Sequence, residues 1–226
     1  MKKLLSFHND PAIKKKYVKR VQDHQKADEI VKGSYWQNGK GCAVGCTIHG
    51  SKHDSYETEL GISWRIALVE DSIFEKLPNK EAMKFPLEFL KAVPVGVDTD
   101  LVFKKFVLWN LVDKKEGLIY YIKDEEVIKF LKEVAEMYEK SMTEEISQET
   151  WKKLADRAYT SAYASAYAYA YAYAYAYAYT YASAYAYASS KWQEMSKWQE
   201  MFNKRIMKMK NQLIKLLKEA PVHSNQ

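Results

Sequence analysis

No side chain between Ala158 and Ser190 carries a charge, and from Tyr167 to Tyr181 every second residue is tyrosine. The residues between those tyrosines are alanine, except Thr180. Strict alternation is a strand pattern, with tyrosine on one face and alanine on the other. Alanine, however, is the strongest helix former and a poor strand former. The flanks keep helical spacing, with Tyr159, Tyr163 and Tyr167 four apart and Tyr185 four beyond Tyr181. An unbroken strand of this length would also offer a bare edge to other chains. The tract is therefore expected to be helical. It belongs to an element running from a Ser147 cap to about Glu219, roughly 110 Å long at about 1.5 Å per residue. A repeat of two advances about 200° around a helix, so the tyrosines would ring it. Such a helix needs protein on several sides or a second copy of itself.

The uncharged run is not expected to span a membrane. It holds Ala, Tyr, Ser and Thr but no Leu, Ile, Val or Phe, and tyrosine prefers the membrane interface to the hydrocarbon centre. The apolar start Leu4-Leu5-Ser6-Phe7 stops at His8-Asn9-Asp10-Pro11, too soon for a secretory leader. With Cys42 and Cys46 as the two cysteines, a disulfide framework is not indicated and a cytoplasmic protein is expected.

Charge separates the chain into two parts. Residues 1–146 carry 24 Lys+Arg and 24 Asp+Glu, whereas residues 147–226 carry 11 and 5, the whole of the +6. Any nucleic-acid reading is thereby confined to the tail, and no clear signature for it exists there. The perfect repeat Ser190-Lys-Trp-Gln-Glu-Met195 and Ser196-Lys-Trp-Gln-Glu-Met201 is too short to make a solenoid. Beyond it, Met195, Trp198, Phe202, Ile206, Met209, Leu213 and Leu216 step by three or four. Lys204, Arg205, Lys208, Lys210, Lys215 and Lys218 form the basic face of that amphipathic helix.

The rest also reads as helix. Asp10-Pro11 starts one, with Gly33 as its C′ residue. A second runs from about Ser63 to Leu77 with Ile66, Leu68, Val69, Ile73 and Phe74 inward. Asn79 caps a third that Pro86 breaks. Asp98 or Thr99 opens another on Leu101, Val102, Phe106, Leu108 and Leu111. Gly117 to Ile122 suits a short helix or a strand. Asp124 to about Ser141 is amphipathic through Val127, Phe130, Leu131, Val134 and Tyr138. The expected fold class is all-α or mainly α: a globular helical domain over 1–146 and a long Ala/Tyr-rich helix with a basic end over 147–226.

Residues 34–62 interrupt this pattern with Gly39, Gly41, Gly45, Gly50 and Gly61. Cys42, Cys46, His49 and His53 lie inside this stretch as C-x3-C-x2-H-x3-H, residue types that zinc prefers. On one straight helix they form a narrow stripe, but Cys42 and His53 stand about 16 Å apart along the axis. One ion can take all four only if the chain folds back at Gly45 or Gly50, so no metal is assigned. A second reading is an anion site, with free backbone N–H groups at Asn38-Gly39-Lys40-Gly41, charge from Lys40 and stacking by Trp36. Neither a P-loop nor G-x-G-x-x-G is met. A third makes Cys42 a nucleophile with His49 or His53 as base and Glu57 as orienter, yet no local signature of a cysteine enzyme is present. The plain alternative is a compact turn with buried cysteines and hydrogen-bonded histidines.

The run Ala27-Asp28-Glu29-Ile30, then Tyr35-Trp36-Gln37-Asn38-Gly39-Lys40-Gly41-Cys42-Ala43-Val44-Gly45-Cys46-Thr47-Ile48-His49, then His53, Tyr56-Glu57 and Leu60-Gly61-Ile62, resembles a family of conserved hypothetical proteins of phage and bacterial genomes. Leu68-Val69-Glu70-Asp71-Ser72-Ile73-Phe74-Glu75 and Phe85-Pro86 with Phe89-Leu90-Lys91-Ala92 extend the likeness over roughly 6–157. Ser63 stands where the resemblance implies proline, and the tail carries more tyrosine than the Ala-rich ends of that family. The resemblance implies no activity.

The expectation is a non-catalytic protein binding a small anionic or nucleotide-like ligand through Trp36, Lys40, Cys42, Cys46, His49, His53, Tyr56 and Glu57. The alternatives are self-assembly into a homo-oligomer through the Tyr/Ala helix, and metal binding by the Cys/His cluster.

Overall fold

The computed structural model describes residues 3–160 and 192–223. The protein is mainly α. Its helices are α1 Pro11–Lys26, α2 Ala43–Ile48, α3 Ser55–Leu60, α4 Trp64–Lys76, α5 Asn79–Ala82, α6 Phe85–Ala92, α7 Thr99–Val112, α8 Glu125–Lys140, α9 Gln148–Thr160 and α10 Trp192–Lys218. Among the described residues the strands are β1 Trp36–Gln37 and β2 Lys40–Gly41, an antiparallel hairpin pairing Trp36 with Gly41. The Ala/Tyr tract expected to be helical lies outside the described residues. No helix among those described is long and apolar enough to cross a membrane.

The helix starts follow from capping chemistry. Asp10 accepts from the Ala12 amide, Asp98 from Asp100 and Leu101, Asp124 from Glu126 and Val127, and Ser147 from Thr150. Pro86 sits in the first turn of α6, where its missing N–H costs nothing. Leu118–Tyr120 is a single 3-10 turn, not a strand. α1 ends at Lys26 and does not reach Gly33. The chain turns at Asp28 with φ 56, and Ile30 leaves to bridge Gly41.

Two compact units emerge, residues 1–103 with 203–226, and residues 104–202. The first unit is discontinuous. Its core joins Phe7, Val21, Ile66, Ile73, Phe74, Phe85, Phe89 and Leu90 to Ile206, Leu213 and Leu217 of α10, all fully buried. Here α1 packs on α6 and α2, and α2 packs on α4. Phe7, His8 and Asn9 form a left-handed turn with φ 54, 49 and 61, a conformation costing about 1–2 kcal/mol per residue. Buried Ser6 braces that turn. Its N–H donates to Val97 O at 2.9 Å, its carbonyl accepts from Gly96, and its hydroxyl donates to Pro94 O while accepting from Val97 N. The far end of the chain reaches the same loop, since Val222 bridges Val97 and the His223 amide donates to Gly96 O at 2.9 Å.

Lys210, counted above with the basic face of the tail, is buried instead. It lies on the apolar stripe of Ile206, Leu213 and Leu217, and its ammonium contacts Glu81 at 3.2 Å and Glu88 at 2.7 Å. In the second unit Lys104 donates to Ser141 O, Tyr138 and Trp151 rings lie 5.1 Å apart, and Arg157 forks onto Glu133. These tie α7, α8 and α9 around Phe106, Leu111, Leu131, Val134 and Leu154.

Candidate metal centre

The segment from Gly33 to Asp54 is held by backbone. The Gly41 amide donates to Glu29 O, and the Cys42 amide to Ser34 O at 2.7 Å. The Tyr35 carbonyl crosses so close to α2 that a Cβ on Gly45 would lie 1.3 Å from its oxygen. Only glycine permits that crossing. Gly45→Ala must part the Tyr35 backbone from α2, an overpacking cost of about 3 kcal/mol. Thermal melting should register it as a fall of roughly 6–12 °C.

α2 spans a turn and a half between Cys42 and His49, which terminates it with φ 53. The C-x3-C-x2-H-x3-H quartet therefore divides. Cys46 is fully buried, and its thiol donates to Gly41 O at 3.2 Å. Burial pushes the Cys46 thiol up to about 12, so it is a small core residue. His49 leaves the helix on the side of α1, where its ring stacks on Trp36 with centroids 4.3 Å apart. His53 goes to α4, its Nε2 lying 3.3 Å from Asp71 Oδ2. Lys40 is exposed. Glu57 accepts from the Trp64 amide at 3.2 Å and so helps start α4. Tyr56 is buried and donates to Glu70 Oε2 at 2.8 Å.

Cys42 joins a cluster of three ligand-type side chains. Its Sγ, one oxygen of Asp71 and one of Glu75 all lie within 4.8 Å of one another. Asp71 and Glu75 are four apart on α4, hence on one face of it. Cys42 is buried. Burial raises its thiol pKa, and Asp71 beside it raises it further. Glu75 is raised by burial too, though the Gly33 amide, donating to both of its oxygens at 3.1 and 3.0 Å, opposes this. Asp71 Oδ1 is buried with no partner among the described residues. Tyr35 meets His53 ring-to-ring at 5.6 Å, and its phenol pKa is raised by burial and then by Asp71, Cys42 and Glu75.

Behind these groups Glu70 is fully buried, with Oε1 unpartnered. Burial pushes its pKa well above the ordinary value, and the hydrogen bond from Tyr56 opposes this. The electrostatic character of the cluster is acidic. The amides expected to greet an anion at 38–41 include that of Gly41, which is taken by the chain itself, as is the Cys42 amide beside it.

Sequence spacing missed Asp71, Glu75, His24 and Glu29. One signal was present for α4. Glu70 falls in the apolar stripe Ile66-Glu70-Ile73-Phe74, where a carboxylate has no structural use unless paired. His24 gave none, since it lies near the end of an ordinary amphipathic helix. No family model, curated protein or solved structure matches the chain.

Proposed function

We propose that the first unit is a metal-binding protein whose ligands are Cys42, Asp71 and Glu75. The observation carrying this reading is the convergence of a buried thiol and two carboxylates, one with a buried unpartnered oxygen. Contraction of the three atoms to about 3.5 Å separation would complete three corners of a tetrahedron at ordinary bond lengths. One thiolate with two carboxylates suits zinc-like divalent ions rather than calcium or magnesium, which take oxygen donors. His53 on Asp71 is the outer partner that holds such a carboxylate in line. A fourth position stays open in this set, and a small anion expected at 35–57 would bind there to the cation, not to Lys40.

Cobalt(II) titration of the full chain, stripped first with chelator, tests the reading. A thiolate-to-cobalt absorption saturating at one equivalent is expected, lost in Cys42→Ser and retained in Cys46→Ser. Asp71→Asn and His53→Gln should each weaken binding by about 10–100-fold. A wild-type chain without the band, or a Cys42→Ser chain that keeps it, overturns the assignment.

A further inference from the structure

On the other side of the hairpin lies a second cluster, independent of the metal reading. His24 Nδ1 is 2.6 Å from Glu29 Oε2, and His24 Nε2 is 2.8 Å from His49 Nε2. The chemistry of the partners assigns the hydrogens. A carboxylate only accepts, so with both rings neutral His24 carries its proton on Nδ1 and offers a lone pair at Nε2. His49 must then be the donor, with its own proton on Nε2. The result is a directed chain, Glu29 to His24 to His49, held in one tautomeric state. Trp36 stacks on the His49 ring at an interplanar angle of 16° and meets His24 edge-on at 5.3 Å.

We propose that this imidazole pair is a proton-binding switch that fastens the 36–41 hairpin to α1 at neutral pH and releases it in acid. One added proton can be shared by the pair, since Glu29 balances it. A second would set N–H against N–H across 2.8 Å, which no rotation of either ring along this chain relieves while both keep their other partners. The pair must then part, and Trp36 with it, because its stacking partner is the ring that moves.

The charged groups around the pair come from every element against it. α1 contributes Arg20, which donates to Thr47 O at 2.8 Å, and Asp23, which is paired with Lys19. The loop after α1 contributes Glu29, and α3 contributes Glu59, which accepts from Tyr17. Arg20 and His24 oppose a charge on His49, whereas Glu59 and Glu29 favour it, and desolvation, the largest cause, leaves its pKa lowered. A histidine held below its unfolded value stabilises the fold while neutral. That contribution is complete above the unfolded pKa of about 6.5 and is lost as pH falls below it.

Imidazole nitrogen NMR of the 15N-labelled full chain, from about pH 8 down to about pH 4.5, reads both histidines directly. Above about pH 7 the expected tautomers are Nδ1–H for His24 and Nε2–H for His49. The two protons should then enter the coupled pair in separate steps. The Trp36 indole resonance, identified by its loss in Trp36→Phe, should shift with the second step. In His49→Gln the Trp36 resonance should no longer follow acid. Glu29→Gln, which keeps the ring contact, should make the first proton harder to add. Two independent titrations near the ordinary histidine value, or a Trp36 resonance that follows neither, would overturn the switch.

Discussion

A chain ending at Phe202 should fail to fold its first hundred residues cooperatively. The reason lies in which residues complete that core. Ile206, Met209, Leu213 and Leu217 are buried on one stripe of α10, although they lie a hundred residues beyond the helices they help to bury. Each such side chain is worth about 1.5–3 kcal/mol, together about 6–12 kcal/mol. That equals the whole stability of an ordinary domain, about 5–15 kcal/mol. The truncated chain would also leave Glu81 and Glu88 without Lys210, and Val97 and Gly96 without Val222 and His223. Denaturant unfolding followed by circular dichroism should show a broad, sloping transition. Leu213→Ala gives the graded version, a loss of about 2–5 kcal/mol with the transition still sharp. A truncated chain melting as sharply as the full one would mean that residues 1–103 hold their own core.

The second large effect is expected from the double variant Glu81→Gln with Glu88→Gln. The Lys210 side chain is 7% exposed, and its charge is met by those two carboxylates with the Phe85 ring 6.0 Å away. Removing both acids leaves a buried ammonium without a counter-charge, at a cost of about 3–5 kcal/mol. Adding Lys210→Met should return most of that loss, because an apolar chain of similar length needs no partner. The denaturant midpoints of the double and triple variants provide the comparison. If Lys210→Met fails to restore the double variant, the loss comes from packing by the two glutamates and not from the stranded charge.

The local chemistry of the helices was legible, and their long-range partners were not. Asp10, Ser63, Asp124 and Ser147 announce helix starts because a short polar side chain before an apolar period has one common use. The α1 end was misread because Gly33 has the right residue type, but the decisive event is earlier. The chain leaves α1 at Asp28 to pair Ile30 with Gly41, a contact that no local pattern encodes. The same limit applies to the candidate site. Glycine-rich 35–57 drew notice for its Cys and His content, and Cys42 and His53 do meet one cluster. Asp71 and Glu75 come from a helix some thirty residues on, whose surface acids look like any solvated face. His49 was expected to share a ligand with Cys42 and instead faces His24, because α2 is only six residues long and its end turns left-handed. Lys210 was misread for a simple reason: lysine on an amphipathic helix is usually outside, and burial needs the two carboxylates that only α5 and α6 supply.

Ser6 and Val222 both fasten to the loop around Gly96. Ser6 and Val222 are thus neighbours across one short segment, although more than two hundred residues separate them in sequence. In a circular permutant, a short glycine-rich link from His223 to Leu5 would join backbone that already meets at one loop, while new ends opened between residues 104 and 202 would leave every bond in the clasp intact. The order in which the first unit's pieces appear along the gene is therefore separable from the fold they make, and the long excursion is where such rearrangements cost least.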